Sequence, residues 1–329
     1  MSKEIPSLYK QFEDAFKIGA AINKYTLQTS QETIKKHYNS ITAENEMKFE
    51  NLHPKEDVYN FEISDQMIQF AQNNQIAMRG HTLVWHNQTS NWLFEHNGRQ
   101  VDKETLISRM EEHIATVVGR YKGKIYSWDV VNEVIADEKN TFYRDSKWYE
   151  ILGETFIDKA FQFAHHADPT AKLFYNDYNE SDPIKSEKIY QLVKRLKEND
   201  VPIHGVGMQA HWNIYDPSLD KIKAAIEKYA SLGMEIQLTE LDVSMFAFDD
   251  KRTDLAHPTE EMLALQATRY EHVFDLLRQY KEHITAVTFW GVADDYTWLN
   301  NFPVRERKNW PFLLDEKHQP KQAFWNVVK

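Results

Sequence analysis

The sequence predicts an α/β protein, a TIM-type eightfold β/α barrel, and three observations carry that prediction. Short β-rich runs alternate along the chain with amphipathic stretches at helical spacing, the pattern that builds a parallel sheet covered by helices. About eight such runs occur, and 329 residues fall within the usual length of one barrel. Acidic, amide, imidazole and indole side chains collect at the C-terminal ends of the runs, the rim on which such barrels build their sites.

The first run, 17–21, is followed by 40–44, which ends on Glu44 and leads into Asn45. The third, 77–84, contains His81 and opens onto Trp85 and His86, and the fourth, 125–132, ends on Asn132-Glu133. The fifth, 172–177, closes on Asn176-Asp177 before Tyr178, and the sixth, 205–210, carries Gln209 just before His211. The seventh, 235–239, delivers Glu240 and Asp242, and the eighth, 286–290, ends on Trp290. Between them lie helical stretches long enough to be crossovers: 106–120, with Leu106, Met110, Ile114, Val117 and Val118 on one face, then 184–197, 219–230 and 261–280. Asp168-Pro169, Asp182-Pro183, Val201-Pro202 and Asp216-Pro217 fall between the periodic segments, where proline ends helices and sets turns. No linker, low-complexity tract or composition shift interrupts the series, so residues 1–329 are expected to form one barrel domain with no appended binding module.

The formal net charge is −11, from acidic residues spread along the chain, and no Lys/Arg block could follow a phosphate backbone. Nucleic acid is therefore not an expected partner, and an acidic surface repels anionic headgroups and acidic polymers while leaving an uncharged ligand unaffected. No apolar run reaches the roughly 18 residues of a membrane span. Cysteine is absent, which suits a reducing compartment. The opening MSKEIPSLYKQF has neither an apolar core nor a small-residue cleavage site. A cytoplasmic monomer is the expectation.

Tryptophan and tyrosine are abundant and stand beside polar partners, as in Trp85-His86, Trp128-Asp129, His211-Trp212 and Tyr296-Thr297-Trp298. Sugar sites need this mixture, because pyranose rings have apolar faces that lie on aromatic rings and hydroxyls that need amide and carboxylate partners. The plainer reading of any single aromatic is core packing.

The rim motifs resemble glycoside hydrolase family ten, the xylanases, over residues 18–329. They are Thr42-Ala43-Glu44-Asn45-Glu46-Met47-Lys48, Arg79-Gly80-His81-Thr82-Leu83-Val84-Trp85-His86 and Trp128-Asp129-Val130-Val131-Asn132-Glu133, followed by Tyr175-Asn176-Asp177-Tyr178-Asn179, Gly205-Val206-Gly207-Met208-Gln209-Ala210-His211, Thr239-Glu240-Leu241-Asp242 and Thr288-Phe289-Trp290-Gly291. The resemblance implies a retaining endo-β-1,4-xylanase that acts on xylan-derived xylo-oligosaccharides through a covalent intermediate. It implies no cofactor and no metal.

By the same resemblance Glu133 is the acid/base and Glu240 the nucleophile. Retaining hydrolysis needs two carboxyls roughly 5 to 5.5 Å apart that differ in protonation. His211 and Asp242 match the pair that supports the nucleophile, and Asn132 matches the residue that binds the 2-hydroxyl of the sugar being cleaved. His81 and Lys48 match contacts to its 3-hydroxyl region, and Trp85 and Trp298 its indole walls. Glu44, Asn45 and Gln88 match the next glycone subsite, Tyr178 with Asn179 the aglycone platform, and Gln209, Trp290 and Arg305 are expected to line the cleft. Two departures stand out: Asn87-Gln88-Thr89-Ser90 where the family commonly has Ser-Gln before a proline turn, and the charged stretch 305–310. The stretch 246–257 reads as a mobile rim loop. Two rival readings draw on the same residues: a metal-dependent hydrolase using His81, His86, His211, Asp177 and Asp242, and a catalytically silent sugar-binding barrel.

Overall fold

In the computed structural model, which describes residues 4–329, eight parallel strands close into a barrel. Residues 1–3, where the N-terminal reading above begins, lie outside the described residues. The strands are β1 (Lys17–Ile22), β2 (Ser40–Ala43), β3 (Ala77–Trp85), β4 (Ser127–Asn132), β5 (Lys172–Asp177), β6 (Gly205–Met208), β7 (Glu235–Ser244) and β8 (Ile284–Phe289). Neighbours in sequence pair in order, and β8 closes on β1. A ninth segment, His211–Asn213, pairs in parallel with the outer end of β7, opposing His211 to Asp242.

Helices cross between strands because their sequences supply both cap and face. Lys103–Arg120 begins where the Asp102 carboxylate accepts from the Thr105 amide at 2.8 Å, and it buries the predicted stripe Leu106, Met110, Ile114, Val117 and Val118. Each of those side chains contributes on the order of 1.5–3 kcal/mol by leaving water. Pro183–Glu198 is set by proline at its first position and by Asp182, which accepts from the Ile184 and Lys185 amides. Its buried face holds Ile189, Leu192, Val193 and Leu196, and also Lys185 and Lys188. Leu219–Ala230 and Glu260–Gln279 start on Ser218 and Thr259 caps. Glu62–Asn73 and Thr155–Ala167 cross between further strands, with Gln31–His37 between β1 and β2 and Gln322–Val327 after β8.

The register aligns the rim. Trp85 of β3 opposes Asn132 of β4, Asn132 opposes Asn176 of β5, and Asn176 opposes Gly207 of β6. Below this row the barrel interior is polar and fully buried: Arg79 donates to Gln237 at 2.6 Å and to both oxygens of Asp129 at 2.7 and 3.2 Å. A buried guanidinium is tolerable there because its fork is met by a carboxylate and an amide.

The two charged rim stretches do not behave alike. Within 305–310, Arg307, Asn309 and Trp310 turn inward and are buried. The Arg307 guanidinium stands 4.0 Å from the Phe246 ring and donates to the carbonyls of Asp250 (2.5 Å) and Arg252 (3.4 Å). One arginine thus ties the loop read as mobile to the loop after β8.

Candidate active site

Two glutamates face each other from β4 and β7, which are not neighbours in the sheet. Glu133 follows β4 with φ at 60°, a left-handed conformation that a non-glycine residue keeps only when its surroundings hold it. They do: its amide donates to the Asn176 carbonyl at 2.9 Å, and its own carbonyl accepts from Arg144 Nε at 2.8 Å. The carboxylate accepts from Trp85 Nε1 at 2.8 Å and from Gln209 Nε2 at 2.9 Å. Burial and the nearby charge of Asp177 raise its proton affinity, more than these two neutral donors lower it.

Glu240 lies within β7 and is 5% exposed. His211 Nε2 bonds one of its oxygens at 2.8 Å, Asn176 Nδ2 donates to the other at 3.1 Å, and His81 Nε2 stands 3.9 Å from that second oxygen. Burial alone would raise this carboxyl, but the His211 hydrogen bond and the two imidazoles outweigh it, so the net shift is down. His211 Nδ1 lies 3.0 Å from Asp242. Although burial disfavours a charged ring, Asp242 and Glu240 push His211 up to about 10, so its imidazolium donates to both carboxylates. The second Asp242 oxygen accepts from Trp298 Nε1 at 2.9 Å, and the Trp298 ring meets His211 edge-on at 4.9 Å.

A chain of amides connects the two carboxyls. Gln209 Nε2 reaches Glu133 and also Asn132 Oδ1 at 3.4 Å; Asn176 Nδ2 reaches Asn132 Oδ1 at 2.8 Å and Glu240. Thr239 Oγ1 donates to Asn176 Oδ1 at 2.6 Å, which fixes the Asn176 amide group the right way round. Space for Asn176 comes from Gly207, where a Cβ would lie 2.4 Å from Asn176 Oδ1. Asn132 accepts with its oxygen from Asn176 and Gln209, and its amide hydrogens meet no partner among the described residues.

Beneath Glu240, His81 is oriented by Asp129 through Nδ1 at 2.8 Å. Burial would raise Asp129, yet Arg79 and His81 hold it down to about 2, which keeps it a firm acceptor. Trp290 is buried and meets His81 edge-on at 5.2 Å.

The flanks are built separately. On the side of β1 to β3, Lys48 Nζ donates to Asn45 Oδ1 (3.1 Å) and Gln88 Oε1 (3.0 Å) and stands 5.1 Å over the Trp85 ring. Glu44 accepts from Asn23 Nδ2 at 2.9 Å, and burial raises its pKa. On the side of β4 and β5, Tyr178 donates to Asp137 at 2.5 Å and accepts from Arg144 at 2.7 Å. Asn179 is exposed at φ 49°, and Arg305 is exposed on the loop after β8. Neither makes a side-chain hydrogen bond or ion pair with the described residues, so they stand apart from the network that joins Glu133, Glu240, His211, Asp242, Asn132, Gln209, Trp85, Trp298 and His81.

Asn176, Asp129 and Asn23 were not predicted as site residues. Asn176 and Asp129 lie inside the quoted motifs and differ from their neighbours only in facing inward, which register alone reveals. Asn23 follows β1, whose predicted end at 21 fell one residue short. His211 and Asp242 bond each other, His81 turns to Asp129 and Asp177 to Lys185 and Tyr175, and among the described residues no three His, Asp or Glu side chains converge as metal ligands.

Comparison with known proteins gives one consistent result. The family description Glycosyl hydrolase family 10 matches residues 7–329. An endo-1,4-beta-xylanase B from Paenibacillus barcinonensis is 57% identical across 100% of this chain and 99% of its own length, and an endo-1,4-beta-xylanase from Geobacillus stearothermophilus is 55% identical across 100% and 99%. Among solved structures, the P. barcinonensis xylanase complexed with a conduramine derivative superposes with a TM-score of 0.98, covering 99% of each chain at 57% identity. An endo-1,4-beta-xylanase from Caldicellulosiruptor owensensis gives 0.97 at 52% identity, covering 99% of this chain and 100% of the other.

Proposed function

The chain belongs to glycosyl hydrolase family 10, and from that premise we propose that it is a retaining endo-β-1,4-xylanase with Glu240 as nucleophile and Glu133 as acid/base. One observation supports this reading most: Glu240 is bonded by an imidazolium, whereas Glu133 is bonded only by neutral donors beside a further carboxylate. The first carboxyl is held ionised and the second is held ready to give a proton.

In the first step Glu240 forms a bond to the anomeric carbon as the glycosidic C–O bond breaks, and Glu133 gives its proton to the departing oxygen. Esterification removes the negative charge of Glu240, one of the influences that raise Glu133. Glu133 is then better able to remain ionised and take a proton from water, whose oxygen displaces Glu240 with the original configuration restored. The amide hydrogens of Asn132 meet the 2-hydroxyl, a contact that strengthens in the transition state. His81 and Lys48 hold the 3-hydroxyl region, with Trp85, Trp298 and Trp290 around the same sugar. Glu44, Asn45 and Gln88 receive the next glycone unit, and Tyr178 with Asn179 the departing one. Arg305 is placed on the rim.

Xylo-oligosaccharides are the proposed substrates, with action inside the cell as part of the proposal; a rate on short oligomers no better than that on polymeric xylan would count against it. The activity itself is tested with xylotetraose and product chromatography. Shorter β-1,4-linked oligomers are expected, and the absence of any cleavage would refute the assignment.

A further inference from the structure

We propose that Lys185 is a positioning residue for the leaving-group half of the cleft, bracing the Tyr178 ring from one side so that a single face is offered to the departing sugar. The proposal rests on the hydrolase reading above and adds a residue to it.

The argument begins with a helix that buries two lysines. The Asp182 cap and Pro183 fix the start of Pro183–Glu198, so Lys185 and Lys188 come one turn apart on the face turned toward the barrel, and both are buried. Lysine rarely sits there unless paired, and these two are paired in different ways. Lys188 Nζ donates to three backbone carbonyls of the loop after β4, those of Ala136 (2.5 Å), Glu138 (3.0 Å) and Thr141 (2.8 Å). Lys185 Nζ instead meets side chains: Asp137 at 2.8 Å in that loop, Asp177 at 3.0 Å at the end of β5, and the Tyr178 ring, whose centroid is 3.7 Å away.

These contacts define what Tyr178 can do. Its hydroxyl is fixed between Asp137 and Arg144, and one ring face is occupied by an ammonium group at cation–π distance. Burial disfavours the charge on Lys185, but Asp177 and Asp137 outweigh it and the net shift is up, so the ammonium persists. Arg144, whose guanidinium carbon stands 5.7 Å from the ring centroid, holds the tip together with Asp137, so the ring can neither swing there nor turn over, and the face away from Lys185 is assigned to the sugar.

The test compares two substrates in the full-length protein: xylotetraose, whose departing portion is sugar, and an aryl β-xylobioside with a good phenolate leaving group, which needs neither a sugar platform nor a proton. Lys185→Met is expected to lower kcat/KM on xylotetraose about tenfold or more, the scale of a lost desolvated cation–π contact, and to change the aryl substrate less than about threefold. Lys188→Met, which loosens the same loop without touching Tyr178, should not reproduce that selectivity. Because Lys185→Met leaves Asp177 buried without its cation, the double variant Lys185→Met/Asp177→Asn removes the pair together; if the single variant does not fold, the double variant is compared with Asp177→Asn alone, which shares the change at Glu133 but keeps the brace, and it should show the selective loss beyond that control. A parallel loss on both substrates, no loss on either, or the same selectivity in Lys188→Met would overturn the proposal. Wild-type protein inactive on both substrates would instead overturn the hydrolase reading, and this proposal with it.

Discussion

At the end of β4, Glu133 accepts from an indole and an amide, with the Asp177 carboxylate nearby; within β7, Glu240 accepts from the His211 imidazolium and an amide, with a second imidazole 3.9 Å away. The residue type is the same, and burial pushes both proton affinities up. What differs is the charge of the partners. Two carboxylates at His211, Glu240 itself and Asp242, keep that ring protonated up to about 10, and the ring in turn keeps Glu240 ionised. Among the described residues no such cation touches the Glu133 carboxylate. In the proposed reading, the division of labour between acid and nucleophile comes from Asp242 behind His211 and from Asp177 near Glu133.

The largest effect expected from breaking this comparison comes from removing the carboxyls. Glu240→Ala should lose about 10⁴-fold or more in turnover on every substrate, while Glu133→Ala should lose as much on xylotetraose but far less on an aryl xyloside whose leaving group needs no proton. Equal losses in both variants on both substrates would mean that the roles are not divided as described. Next, Asn176→Ala removes the donor shared by Glu240 and Asn132, and kcat/KM should fall on the order of 10²-fold, measured by steady-state kinetics.

The pH profile sharpens the comparison in opposite directions. His211→Asn removes the hydrogen bond and charge that lower Glu240, so the acid limb of kcat/KM should move to higher pH. Asp177→Asn removes a charge that raises Glu133, so the alkaline limb should move to lower pH. Limbs that stay in place in both variants would separate the two titrations from these neighbours. The smallest effect is on stability: Gly207→Ala pushes a methyl group against Asn176 Oδ1 and Thr239 Cγ2, and a chemical-denaturation midpoint should register a loss of about 1–3 kcal/mol, together with weakened turnover as Asn176 shifts.

The barrel was legible in the sequence because each strand combines a short apolar run with a polar terminus, and the long helices carry their stripes openly, as Leu106 to Val118 do. The two glutamates and His211 were legible because they stand at or near strand ends in the sequence reading, within distinctive motifs, although β7 runs on past Glu240 to Ser244. Asp242, which holds His211 charged, was legible in the same way, but several residues that position the site were not. Asn176 acts through the register that sets it opposite Asn132 and Gly207, and Lys185 acts through a turn of helix whose buried lysines break the usual apolar pattern. Arg307 reads as surface charge in a run of charged residues, yet it folds inward onto carbonyls and Phe246. For Asn176 and Arg307 the deciding contact joins positions far apart in the chain, and for Lys185 it joins a helix turn to the end of the strand before it; local spacing encodes neither.

The most direct test of the central claim is the configuration of the first product, read by proton NMR in the opening minutes of xylotetraose hydrolysis, before the anomers equilibrate. A nucleophile at Glu240 and an acid/base at Glu133 predict that the β-anomer appears first. An α-anomer appearing first would contradict the double displacement and the roles given to both glutamates.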